Sequence, residues 1–162
     1  MNSKYSFACL IIFLSILAFP SQSLNAGEKS GLSDGQTIYV PAYSHIYSGN
    51  REIPFLLTVT LSIRNIDPRH PIKITLVDYH ETQGKLLKKY IETPLILKPL
   101  ESLRYVIPES DTRGGSGANF MVVWKSDKFV NPPIVESIMI GTKSTQGVSF
   151  TSRGRVLNTS EP

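Results

Sequence analysis

Between Phe55 and Arg64 apolar and polar positions alternate, with Phe55, Leu57, Val59, Leu61 and Ile63 on one side of an extended chain and Thr58, Thr60, Ser62 and Arg64 on the other. A period of two marks a β-strand with one buried face. After the turn at Asp67-Pro68 the alternation resumes at Ile72, Ile74 and Leu76, and it returns at Leu103, Tyr105 and Ile107. Gln83-Gly84 turns the chain back through Lys85 to Glu92, which predicts an antiparallel hairpin. Pro94 and Pro99 bracket Leu95 to Lys98; proline cannot donate to a ladder, so this run reads as an edge strand or crossover. Phe120 to Trp124 is apolar at every position and predicts a central strand, with Trp124 as a core aromatic whose indole N–H needs one partner. Thr37 to Val40, stopped by Pro41, together with Ile134 to Ile140 and Gly147 to Thr151, completes the set.

These runs amount to about seven or eight short strands with a turn signal every ten or so residues, and no repeat of 20 to 50 residues is present. An immunoglobulin-like Greek-key β-sandwich fits them best. A small β-barrel is the alternative, because strand count and spacing are common to both.

The first 26 residues are patterned differently. Lys4 precedes an apolar run from Phe7 to Phe19, and Pro20 leads to the small-residue site Leu24-Asn25-Ala26. The run is shorter than the roughly 20 apolar residues of a permanent membrane span, so it reads as a secretory signal peptide cleaved after Ala26. Cys9 lies inside the run with Leu10 to Phe19 still to follow, whereas a lipoprotein cysteine comes directly after it; no stable membrane anchor is expected. The reading is therefore a signal at 1–26, a flexible leader at 27–35 (GEKSGLSDG begins at Gly27), a β-sandwich domain at 36–156 and a disordered tail at 157–162, in a periplasmic or secreted protein.

Composition narrows the chemistry. Cys9 is the sole cysteine, so the mature chain has no disulfide, no Cys-ligated metal and no thiol nucleophile. The net charge of +4 is spread along the chain with no basic block longer than Lys88-Lys89, unlike the concentrated patch of a nucleic-acid binder. No nucleic-acid partner is expected.

Several segments together carry a family pattern: GGSGANF from Gly114 to Phe120, Trp124, PIVE from Pro133 to Glu136, MIG from Met139 to Gly141, QGVSF from Gln146 to Phe150, and Gly154-Arg155. They resemble the bacterial family of unknown function DUF3124, over about Gly35 to Val156 and including Tyr39-Val40-Pro41 and the hairpin Asp78 to Leu87. The resemblance implies an exported or envelope-anchored protein. It brings no assigned catalytic or binding residue.

The candidates for chemistry follow from the residues. Arg113, Gly114, Gly115, Ser116, Gly117 and Asn119 form a glycine-rich segment in which backbone N–H groups could approach a carboxylate or phosphate beside a guanidinium. A structural turn or bulge is the plainer reading, since no helix follows to contribute a dipole. Glycine-serine-glycine here grazes the nucleophile elbow, but a strand follows it and no histidine lies after Ser116, which excludes the α/β-hydrolase order. Glu136 interrupts the apolar set Ile134, Ile138 and Ile140, and as a carboxylate it needs a partner such as Arg104, Arg153 or Arg155; with Asn119 and an arginine it could complete a recognition site around the glycine loop. Asp78 and His80 continue the face of Ile72, Ile74 and Leu76, so two metal ligands could sit side by side, joined by His45 or His70 and, for copper, Met121 or Met139. Tyr39, Tyr43, His45 and Tyr47 alternate along one extended segment, as a first strand packing its tyrosines at the sheet margin or as a row that binds a peptide or glycan.

The reading is a non-catalytic binding module without a cofactor, whose partner is an envelope protein or a small anionic ligand. A metal-dependent protein built on Asp78 and His80, and an edge-strand self-assembly module, are the alternatives.

Overall fold

The computed structural model describes residues 31–47, 50, 52–142 and 147–157. The signal segment, residues 27–30 of the leader and the tail beyond Leu157 lie outside the described residues. The described chain holds twelve strands: β1 (Ser33–Pro41), β2 (His45–Tyr47), β3 (Pro54–Leu56), β4 (Thr58–Arg64), β5 (Ile72–His80), β6 (Leu86–Lys89), β7 (Leu95–Leu97), β8 (Ser102–Ile107), β9 (Asn119–Val130), β10 (Ile134–Gly141), β11 (Val148–Arg153) and β12 (Arg155–Leu157). Seven of them have six residues or more, and each overlaps a run read as a strand, as do β6 in the Gln83-Gly84 hairpin and β7 between Pro94 and Pro99. The remaining β2, β3 and β12 are three-residue margins too short for a period to register.

Every pairing is antiparallel. The larger sheet runs β12-β1-β9-β5-β6, with β7 also on β5; the smaller runs β11-β10-β4-β8; β2 and β3 form a separate hairpin. The main sheets keep their edges open, so the fold is an all-β sandwich and not the small barrel. Ile38, Val40, Ile74, Val77, Phe120, Val122 and Trp124 from the larger sheet meet Val59, Leu61, Ile63, Val135 and Met139 from the smaller, all buried. Burial on this scale contributes about 1.5–3 kcal/mol for each large apolar side chain. Trp124 donates its indole N–H to Gln36 Oε1 at 3.3 Å, which supplies the partner it needs.

β9 is the twelve-residue centre of the larger sheet, flanked by β1 and β5. Leu95–Leu97 forms an edge strand on β5, as its prolines require. At the other end β11 passes into β12 through Gly154, so the chain leaves the smaller sheet and joins the larger. Gly154 donates to Val135 O at 2.8 Å, and a Cβ there would press on Val135 O at 3.0 Å and on Val40. Only glycine lets the chain pass so close to two core strands.

Four expectations are corrected. β5 is not regular: its register against β9 jumps between Ile74↔Trp124 and Leu76↔Val123, which makes Thr75 the extra residue of a β-bulge. A bulge shifts the period by one, so Val77 and Tyr79 turn inward and Leu76, Asp78 and His80 turn outward. β10 is read on the opposite face too: Val135, Ser137 and Met139 are buried, and Ile134, Glu136, Ile138 and Ile140 face out. Ser137 is accommodated inside because its hydroxyl donates to Pro41 O. The run Phe55 to Arg64 is two strands, broken at Leu57, whose N–H donates across to Ser44 O at 2.9 Å. Tyr39 to Tyr47 is likewise no single extended row. After β1 the chain is pinned by Ala42 N–H to Ala118 O at 2.8 Å and Ser44 N–H to Gly115 O at 2.9 Å. This sends Tyr43 onto Phe150, with ring centres 5.7 Å apart, and leaves Tyr47 against His45. β1 begins at Ser33 and β12 ends at Leu157.

Candidate functional site

The glycine-rich segment forms one 3₁₀ turn, Gly115–Gly117, between β8 and β9. Its polar groups are largely turned onto the protein. Thr82 N–H and Thr82 Oγ1 each donate to Gly114 O at 3.0 Å, and Gly117 N–H donates to Thr82 Oγ1 at 3.0 Å. Gly115 N–H donates to Thr112 O at 3.2 Å. Gly114 is buried, and a Cβ on it would overlap the Tyr79 hydroxyl; Gly115 takes φ +78°. The glycines thus let a loop lie flat on the β5–β6 turn and on Tyr79. Arg113 is held in a bidentate pair by Asp111, at 2.9 and 2.7 Å. That pairing lowers the Asp111 carboxyl below, and raises the Arg113 guanidinium above, their ordinary values. Ser116 is half-buried in the turn, and Asn119 opens β9 opposite His80.

Beneath the loop the aromatic end of the core gathers Tyr79 on Phe120 (ring centres 4.9 Å) and Tyr90 on Tyr105 (4.6 Å), with Lys88 Nζ 4.5 Å above the Tyr90 ring. Burial pushes all three tyrosine hydroxyls upward in pKa.

Glu136 does not join this end. It lies on the outer face of the smaller sheet, where its partner is Arg64, at 3.8 Å, and not Arg113. Arg153 is its register neighbour in β11, and Arg104 follows one strand beyond Ser62. The contact is diagonal, since Arg64 stands opposite Ile134 while Arg153 is directly opposite Glu136, and a single-strand pattern does not contain it. Asp78 and His80 lie on the outer face of the larger sheet, opposite Met121 and Asn119. His45 is taken by the Tyr47 hydroxyl at 3.1 Å, and His70 by Asp67 at 3.2 Å. Among the described residues no group of three or more His, Cys, Asp or Glu side chains could hold a metal ion.

A groove that the strand pattern did not announce lies at the β7 end of the larger sheet. Two register shifts flank the same stretch of β9, one in β1 between Ser33 and Gly35, the other in β5 between Ile74 and Leu76. Lys125 consequently stands between Gly35, which has no side chain, and Lys73. The resulting groove has a volume of about 580 Å³, with Ile96 and Val123 as its apolar surface above the buried Ile72. The Gln36–Trp124 hydrogen bond fixes one wall, and Ser126 Oγ donating to Pro71 O at 3.4 Å ties another. Asp34 and Asp127 also line it, yet no ion pair among the described residues involves either lysine. Two ammonium groups directly opposite one another on adjacent strands repel. The signal for this pair was register, which becomes visible only once the bulge at Thr75 is placed.

Two open antiparallel sheets enclosing one core define an all-β sandwich domain. The model of the family described as "Protein of unknown function (DUF3124)" matches residues 35–157, and the chain belongs to that family. Among curated proteins none matches. The crystal structure of Thermotoga maritima 1070 is similar at 14% identity and a TM-score of 0.45, over 76% of this chain and 96% of that one. Among the described residues no helix is long and apolar enough to cross a membrane.

Proposed function

We propose that the protein is an exported, non-catalytic binding module of the bacterial periplasm or envelope, and that it takes a small organic anion in the groove at Lys73 and Lys125. The carrying observation is the like-charged pair. Lys73 and Lys125 face each other across β5 and β9 over a groove of about 580 Å³, and a carboxylate or phosphate between them relieves their repulsion. The volume falls in the roughly 300–1,000 Å³ range of small-molecule sites. Ile96 and Val123 offer apolar contact to the ligand body, while Asp34 and Asp127 admit a cationic group at its margin. Export is supported by the signal-type segment that ends at Ala26. A holding role is supported by the absence of cysteine after Cys9 and of histidine after His80.

The test is native mass spectrometry of the protein purified gently from its own host, set against its denatured mass, for wild type and for the Lys73→Gln/Lys125→Gln double variant. A one-to-one excess mass in the wild type that is lost in the variant is the expected result. Equal native and denatured masses, with no amide shift at Gln36, Val123 or Ser126 on addition of small carboxylates and phosphates, would reject the reading.

A further inference from the structure

Among the described residues the outer face of the smaller sheet differs in its cations from the larger sheet, where lysines outnumber the one arginine, Arg155. Its four strands contain three arginines, Arg64, Arg104 and Arg153, and no lysine. The larger sheet carries Lys73, Lys88, Lys89, Lys125 and Lys128. Arginine is enriched and lysine depleted at protein interfaces, because a planar guanidinium is weakly hydrated and binds a carboxylate with two parallel hydrogen bonds. Only Glu136 opposes the three, and its contact with Arg64 is long. Arg104 and Arg153 make no ion pair among the described residues.

Branched apolar side chains stand exposed on the same face: Ile134 at 42%, Ile140 at 45% and Val106 at 49%. Register places arginine and apolar groups in adjoining rows. Arg153, Glu136, Ser62 and Arg104 form one row across all four strands, and Thr151, Ile138, Thr60 and Val106 form the next. Within the face a depression of about 350 Å³ is bounded by Arg64 and Arg104, with the hydroxyls of Thr60, Ser62 and Ser102 among its lining. Arg64 is already oriented there by donating Nε–H to Ser62 Oγ at 3.1 Å.

We infer that this face docks a partner protein bearing an acidic, partly apolar surface, and that an Asp or Glu of the partner inserts between Arg64 and Arg104. A second copy of this chain is disfavoured, because face-to-face pairing would bring six arginines against two glutamates. Four strands at about 4.8 Å and some six residues at about 3.3 Å make a face roughly 20 Å on a side. That lies at the small, transient end of interfaces. The site is independent of the lysine groove, which opens on the other sheet.

The experiment places the photo-crosslinker p-benzoylphenylalanine at Val106, or separately at Thr151, of the full chain, and irradiates intact cells of its own host. An exposed control position at Lys85 is treated in the same way. The expected result is an adduct with a different polypeptide whose crosslinked surface contains Asp or Glu. That adduct should fall at least about tenfold in Arg104→Glu/Arg153→Glu and persist in Lys73→Glu/Lys125→Glu. Thermal melts of each variant verify that it folds. Adducts no stronger than at Lys85, adducts only with a second copy of this chain, or adducts indifferent to arginine reversal would each overturn the inference.

Discussion

The hydroxyl of Tyr79 lies 3.0 Å from that of Ser44, both buried, directly under the backbone of Gly114. The pair joins β5 to the segment before β2, and the glycine loop seals it from above. A methyl group at Gly114 meets Tyr79 and stands 2.7 Å from Ser44 Oγ, so Gly114→Ala is expected to destabilise the fold by about 1–3 kcal/mol, as overpacking does. Tyr79→Phe leaves the Ser44 hydroxyl buried without this partner, at a cost of about 1–3 kcal/mol. Urea titrations of both variants measure these costs; an unchanged midpoint for Gly114→Ala would show that the loop is free to lift.

Asp67 predicts the acid limb of stability. It is buried and accepts bonds from the N–H groups of Arg69, His70 and Asn131 and from the side chains of His70 and Asn131. The backbone N–H of Arg69 leads these donors in holding its carboxyl far below the usual carboxylate range. A depressed carboxyl stabilises the fold fully above its unfolded value of about 3.9 and loses that contribution as pH falls below it. The urea midpoint should drop more steeply below pH ~4 in wild type than in Asp67→Asn, and the variant should start lower at neutral pH. Parallel pH profiles for the two proteins would contradict this.

Lys73 and Lys125 predict opposite signs for stability and for binding. Lys73→Glu converts a repelling cross-strand pair into an attracting one and should raise stability by about 0.2–1 kcal/mol at low salt, while abolishing capture of the anion. A site retained for function is expected to behave in this way. Chemical denaturation and native mass measured on the same preparation test both halves; a loss of stability would mean that the lysines are structural.

Thr75 predicts that one residue can be removed from the middle of a core strand. Deleting it leaves Ile74 beside Leu76 and restores simple alternation with Val77 and Tyr79 still inward, so the loss should stay within about 3 kcal/mol. Deleting Thr60 from β4, which pairs without a bulge against β8 and β10, reverses Leu61 and Ile63 or Val59 and should abolish folding. Circular dichroism and melting of the two deletions distinguish them.

The strands were legible in the chain because an antiparallel sandwich writes burial into every second residue, as Val59, Leu61 and Ile63 demonstrate. Trp124 was legible from the unbroken apolar run Phe120 to Trp124, and so was the need of its indole N–H for an acceptor. Facing was lost wherever alternation is ambiguous or interrupted. In β10, Ile134, Ile138 and Ile140 outweigh the inward Ser137 by hydrophobicity, although the serine is the buried one. In β5, a single extra residue moves Asp78 and His80 to the outside without leaving a trace in composition. The sites were less legible still, because Lys73 with Lys125 and Arg104 with Arg153 meet only through register, and register joins residues tens of positions apart. The glycine loop drew attention as a motif, while its glycines serve Tyr79 and Thr82.

The passage through Gly154 places β12 on the open side of β1, so the last described strand is the edge partner of the first. β1 cannot complete its ladder until almost the whole domain has left the ribosome. Until then the chain has no finished sandwich to resist unfolding. Closure of the larger sheet is therefore a late event, waiting on the last described strand to reach the first.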